Sequence, residues 1–275
     1  MNFRAFINYL LCIAIFAMLS SCGTPANVDD TLAGVDSSAI IQKEKNTKVQ
    51  KIFSSIQSES ETTKMLNDAG AKYSSKFLNP VENKNKYSSV KAKALNLGVY
   101  GLDLGVTNIF NQTQESMLYL SCTNKMATSL GISGAFDENM SSRIDANSDN
   151  KDSLLTIITD SYKSADNYLQ ENGQAGVSTL MVAGGWIEGM YISLQIANAT
   201  KNDVIINKIV AEKVTLENLI SLLESYKKET DGAQEILTSL NDVKKIYDSA
   251  PDKFTAENLK QLTDKITEIR TAIIQ

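Results

Sequence analysis

Histidine is absent from this 275-residue chain. That excludes histidine-based nucleophile triads, HExxH metal sites and the commonest general acid–base group. Cysteine is scarce, at three residues. There is no CxxC pair, no GxxxxGK[ST] phosphate loop and no GxSxG elbow. No cofactor motif and no metal-ligand cluster remain to be named. Arginine is confined to Arg4, Arg143 and Arg270, and the net charge is −5. A chain so poor in arginine and so acidic makes no nucleic-acid surface. Only three prolines interrupt it, and strand alternation and hairpin signals are missing. What remains is 43% hydrophobic and 21% charged, an ordinary globular balance. Catalysis, if any, would fall to carboxylates, as in a glycosidase-type hydrolase.

The first residues read as an export leader. Arg4 supplies one positive charge, Leu10 to Leu19 is a short apolar run, and small residues follow. Leu19-Ser20-Ser21-Cys22 resembles a lipobox, the recognition site of the bacterial lipoprotein signal peptidase. The resemblance implies that Cys22 becomes a lipidated N-terminus and the membrane anchor. Residues 1–21 are then a signal peptide, and 22–36, small and polar, a flexible tether. Residues 37–275 form one all-helical domain. With Cys12 in the leader and Cys22 lipidated, Cys122 stands alone and no internal disulfide is possible.

Periodicity places the helices. Ser37 or Ser38 caps a helix carrying Ile40, Ile41, Val49, Ile52, Phe53 and Ile56, and a second short helix over 61–69 stops at Gly70. Residues 74–88, with Asn79-Pro80, read as a loop. An apolar stretch runs from Val90 to Phe110. Residues 112–130 form a helix with Met117, Leu120, Met126 and Leu130 on its inner face, stopped by Gly131. Residues 136–147 make a short helix at most. Asp149 or Asn150 caps the next, whose stripe is Leu154, Ile158, Tyr162, Ala165 and Leu169. Asp203 caps one long helix to about Lys227, with Ile205, Ile209, Leu216, Leu219, Leu223 and Tyr226 inward. Ile236, Leu240, Val243 and Tyr247 mark a further helix. Leu259, Leu262, Ile266, Ile269 and Ile273 give the last one a heptad-like seam.

The stretch 177–199, VSTLMVAGGWIEGMYISLQIANA, organises the rest. It holds the only tryptophan, Trp186, and one charge, Glu188. A helix apolar on nearly every face must be covered on nearly every face. The expected architecture is therefore all-α, a multi-helix bundle or helical array around this central apolar helix. A membrane span is disfavoured by Glu188 at its middle. Gly184, Gly185 and Gly189 point to close helix packing, or else to a groove with Trp186 as one wall and Glu188 as a polar contact. Each glycine costs a helix about 1 kcal/mol relative to alanine. A buried Glu188 must be paired or protonated. Tyr100, Asp103, Arg143, Trp186 and Glu188 are therefore the candidates for a ligand site or a buried polar network, with Arg143 as the cation. Asp145, Asn147, Asp149 and Asp152 resemble the start of a calcium loop. Asn150 and Thr156 stand where that loop needs glycine and a bidentate glutamate, so a polar turn is expected instead of a metal site.

Three stretches resemble a group of cell-envelope lipoproteins of Bacteroidota. They are Leu97-Gly98-Val99-Tyr100-Gly101 with Asp103-Leu104, Asp149-Asn150-Lys151-Asp152-Ser153-Leu154, and Ala183-Gly184-Gly185-Trp186-Ile187-Glu188-Gly189. The resemblance implies a helical fold and a place in the envelope, at the outer membrane by the Cys22 anchor, and transfers no catalytic residue. The expected function is binding or scaffolding. The alternatives are a small-ligand receptor with a pocket beside the glycine-rich central helix, and a carboxylate-dependent hydrolase. A pocket containing Trp186, Tyr100 and Glu188 would favour the receptor.

Overall fold

The computed structural model describes Thr47, Leu66 and residues 68–135, 140–147, 150–250 and 253–275. The leader, Cys22, the tether and, apart from Thr47, the helix expected from residue 37 lie outside the described residues. The architecture is an all-α helical array. The described helices are α1 (Val90–Ile109), α2 (Thr113–Ser129), α3 (Met140–Ala146), α4 (Lys151–Glu171), α5 (Ala175–Thr200), α6 (Asp203–Ala211), α7 (Lys213–Tyr226), α8 (Ala233–Asp248) and α9 (Ala256–Ile274). No strand occurs among the described residues. No described helix is long and apolar enough to cross a membrane.

The central helix is α5. Trp186 and Ile187 are 6% and 0% exposed, so neighbours do cover it. Its main partner is α1, and α4, α6, α7, α8 and α9 pack around the remaining faces. One hydrophobic cluster runs from Leu66 to Ile273 through these helices.

Small residues bring α1 and α5 together. A Cβ on Gly98 would sit 1.9 Å from the Met181 carbonyl oxygen, and one on Gly184 would sit 2.0 Å from that of Leu95. The two backbones touch at this crossing. Gly101 makes room in the same way for the Tyr162 ring of α4, whose hydroxyl donates to the Leu97 carbonyl at 2.7 Å.

Helix ends follow the sequence in most places. Asn150 caps α4 by accepting from Ser153 N–H at 3.1 Å. Gly131 and Gly173 adopt left-handed backbone after α2 and α4, where non-glycine residues are disfavoured. Two expectations need correction. The helix expected over 203–227 is two, broken at Glu212, and its cap is Asn202 rather than Asp203. Of the stripe expected on α2, Leu120 and Met126 are buried and Leu130 packs half-buried against the core, but Met117 is 45% exposed, and Ser116, Tyr119, Cys122, Thr123 and Ala127 complete the inward face. The polar members of that face have partners in the core, which hydrophobic spacing alone does not reveal.

Candidate functional site

Two separate constellations occupy the ground where the sequence placed one. The first is a sealed polar network. The second is an open apolar pocket.

The network is centred on Glu188 of α5. Its carboxylate is fully buried and meets Arg270 of α9 in a bidentate ion pair, with Nε to Oε2 and Nη2 to Oε1 both at 2.7 Å. The guanidinium also donates to the Phe77 carbonyl at 2.9 Å and lies 4.1 Å from the centre of the Tyr191 ring. This is the planar fork geometry that arginine supplies and lysine does not.

The cation is Arg270, and the expectation of Arg143 is corrected. Arg143 sits on the short α3, which packs on α4, while both Glu188 oxygens are taken by Arg270. The residue spacing of α9 explains the placement. Arg270 lies four after Ile266 and three before Ile273, on the buried side of that helix.

Asp103 of α1 is also fully buried. Its Oδ2 accepts from the Asn79 backbone N–H at 3.0 Å, and its Oδ1 has no donor. Burial, and next the adjacent Glu188 charge, raise the Asp103 carboxyl well above the usual carboxylate range. Burial raises Glu188 as well, with Arg270 opposing it. One proton therefore resides at this pair. It belongs on Asp103, because both Glu188 oxygens already accept N–H bonds. A proton on Oδ1 would give that buried oxygen, which has no partner, a hydrogen bond to donate toward the neighbouring Glu188.

The segment before α1 completes the network. The fully buried Asn79 side chain donates to Tyr87 and to Asn96 Oδ1, and Asn79 accepts from Asn83 and, on its carbonyl, from Tyr119. Asn96 and Asn83 in turn donate to the Ile273 and Ile274 carbonyls that end α9. Tyr100 donates to the Pro80 carbonyl at 3.1 Å and packs between Tyr87 and Tyr119. The expected loop at 74–88 is thus two short 3-10 turns, Ser75–Phe77 and Val81–Asn85, held inside the fold by amides. Asp103 and Glu188, both fully buried, do not line the apolar pocket.

The pocket lies on the other side of the α1–α5 crossing. Its volume is about 280 Å³. Its floor is backbone at Gly98, Gly101 and Gly105 of α1 and at Gly185 and Gly189 of α5. Leu102, Val106 and Ile109, then Ile158 and Tyr162 of α4, and Trp186, Met190 and Ile196 of α5 form apolar walls. Ile205, Lys208, Ile209 and Glu212 close one side. The Trp186 indole N–H donates to Glu212 Oε2 at 3.2 Å, which fixes the ring as a wall. Lys208 and Glu212 stand four residues apart at the rim, Lys208 exposed and Glu212 half-buried.

The three expected packing glycines divide. Gly184 is packed against the Leu95 backbone, as close packing requires. Gly185 also lies at the crossing, its backbone nitrogen 2.6 Å from a Cβ placed on Gly98, but a Cβ of its own would meet the Gly98 backbone only at 3.5 Å. Gly189 faces the Leu102 side chain, 3.4 Å from a Cβ built there. Of the candidate ligand residues only Trp186 lines the pocket. Tyr100, Asp103 and Glu188 belong to the network, and Arg143 belongs to neither. Sequence reading missed Asn79, Asn96, Arg270, Gly98, Gly101, Lys208 and Glu212. Among the described residues no histidine, cysteine, aspartate or glutamate cluster could hold a metal ion.

Comparison with protein-family models, with curated proteins and with solved structures finds no match.

Proposed function

We propose that this protein is a receptor for a small apolar ligand, which it binds in the pocket between α1, α4, α5 and α6. The observation that carries this is the pair Gly185 and Gly189. Each costs helix stability of about 1 kcal/mol relative to alanine, yet a Cβ at either would meet only ordinary van der Waals contacts, at 3.5 Å and 3.4 Å. Protein interiors otherwise leave few voids. Omitting two side chains that would fit keeps a space open, and the space is walled by the single tryptophan. Ligand sites are concave, mostly apolar and carry a few polar groups at one end, which describes this pocket.

The lipobox-like stretch supports an envelope setting, with Cys22 acylated and the fold held near a lipid surface. Such an anchor places an apolar-ligand receptor where apolar molecules partition. The same setting agrees with the resemblance to Bacteroidota envelope lipoproteins. The sealed carboxylates Asp103 and Glu188 lend a hydrolase reading no support. Scaffolding is the weaker reading, because it gives the pocket no role.

Isothermal titration with 1-decanol tests the receptor reading. One saturable site with a negative heat-capacity change is expected, lost in Gly189→Leu, which fills the space while the fold survives. Heat uptake that is unsaturable, or identical in Gly189→Leu, overturns it. Cys22→Ser, with metabolic labelling by radioactive palmitate, tests the anchor separately. Label retained in the variant would overturn lipidation at Cys22.

A further inference from the structure

The rim of the pocket carries information about the head of its ligand. Lys208 lies in the last turn of α6 and Glu212 at the junction with α7, one turn further on. Both line the same pocket. They are opposite in charge, yet no ion pair joins them, and Lys208 pairs with no carboxylate among the described residues. Glu212 accepts only the Trp186 indole N–H. One ammonium with all its donors open thus stands beside one carboxylate with an oxygen open. The remaining lining is apolar apart from Thr159 and Ser193.

We infer that the ligand is an uncharged single-chain amphiphile whose head both accepts and donates hydrogen bonds, as a primary carboxamide does, with its carbonyl on Lys208 and its N–H on Glu212. This rests on the receptor reading of the same pocket. The rim charges sum to zero, so a carboxylate head gains at Lys208 and loses at Glu212, and an ammonium head does the reverse. Each ion also gives up hydration at the mouth of an apolar cavity. A dipolar head meets both residues favourably. The body meets an almost wholly apolar lining, which suits an aliphatic chain, and ten-carbon amphiphiles serve as its probes.

The test uses the emission of Trp186, the only tryptophan in the chain, as the reporter. Full-length protein is titrated at pH 7 with decanamide, decanoate and decylammonium, each below its micelle-forming range. Decanamide is expected to half-saturate at a concentration about two- to tenfold below either ion, the effect of one added hydrogen bond. Lys208→Met, an exposed position that leaves the fold intact, is expected to weaken decanamide by a similar factor and to tighten decylammonium. Decanoate or decylammonium binding tightest, or all three binding alike, would overturn the head-group inference while leaving the receptor reading in place. An emission that answers saturably to none of them would overturn both.

Discussion

Replacing Asp103 by asparagine tests the buried proton directly. Asparagine is the isostere of the protonated acid. Its carbonyl accepts from the Asn79 N–H as Oδ2 does now, and its amide donates to Glu188 as a protonated Oδ1 would. The folded-state pKa of Asp103 is raised, so its contribution to stability is fully present below the unfolded pKa of about 3.9 and is lost as pH rises toward the folded value. Between the two, the unfolded chain has released a proton that the folded chain keeps. Wild-type stability therefore falls relative to Asp103→Asn by about 1.4 kcal/mol per pH unit. From pH 5 to pH 7 the gap grows by up to about 2.7 kcal/mol in favour of the variant. Taking the difference between the two proteins removes the common contribution of Asp166, whose carboxyl is also raised by burial. Urea unfolding at half-unit intervals from pH 4.5 to 8 gives the curve. A flat difference, or a wild type that gains on the variant as pH rises, would show that Asp103 is ionised and refute the shared-proton account.

Other consequences follow from the same contacts. Arg270→Met leaves Glu188 buried without its cation and is expected to cost about 3–5 kcal/mol in urea unfolding. Adding Glu188→Met to it should recover much of that loss. Gly184→Ala drives a methyl into the Leu95 carbonyl and is expected to destabilise by about 1–3 kcal/mol. Gly189→Ala, with contacts at ordinary distance, should be neutral or stabilising by up to about 1 kcal/mol. Thermal unfolding of the two alanine variants side by side separates the packing glycine from the pocket glycine. The Cys122 thiol is fully buried and its pKa is pushed up to about 11. In a Cys12→Ser, Cys22→Ser variant, where it is the only thiol, it should react with a thiol reagent at pH 8 only at the rate of unfolding.

The parts of this fold that were legible in the sequence are those that repeat. Trp186 and Ile187 had to be covered because no face of α5 is polar, and they are. The stripe Leu154, Ile158, Tyr162, Ala165 and Leu169 of α4 is buried throughout. The seam of α9 packs inward at all five positions. That Glu188 needs a partner followed from electrostatics alone, but which arginine supplies it did not. Arg143 and Arg270 are each available on composition, and only the docking of α9 on α5 decides between them. Asn79 and Asn96 escaped notice for a related reason. A buried asparagine looks in sequence like one in a loop until its partners, here the end of α9, are in place. Glycines were recognised as packing residues in α5, whereas their counterparts Gly98 and Gly101 in α1 were not singled out. The pocket arises from that pairing of two glycine-bearing helices, which neither stretch discloses by itself.

The receptor account stands or falls on contact between Trp186 and a bound apolar chain. At 6% exposure the indole is shielded from water, so iodide should quench its emission only weakly. 10-Bromodecanol, whose bromine quenches on close contact, should quench it strongly, saturably and at one-to-one stoichiometry, with the effect abolished in Gly189→Leu. Quenching by 10-bromodecanol that is linear in concentration, or unchanged in Gly189→Leu, would mean that no chain enters beside Trp186.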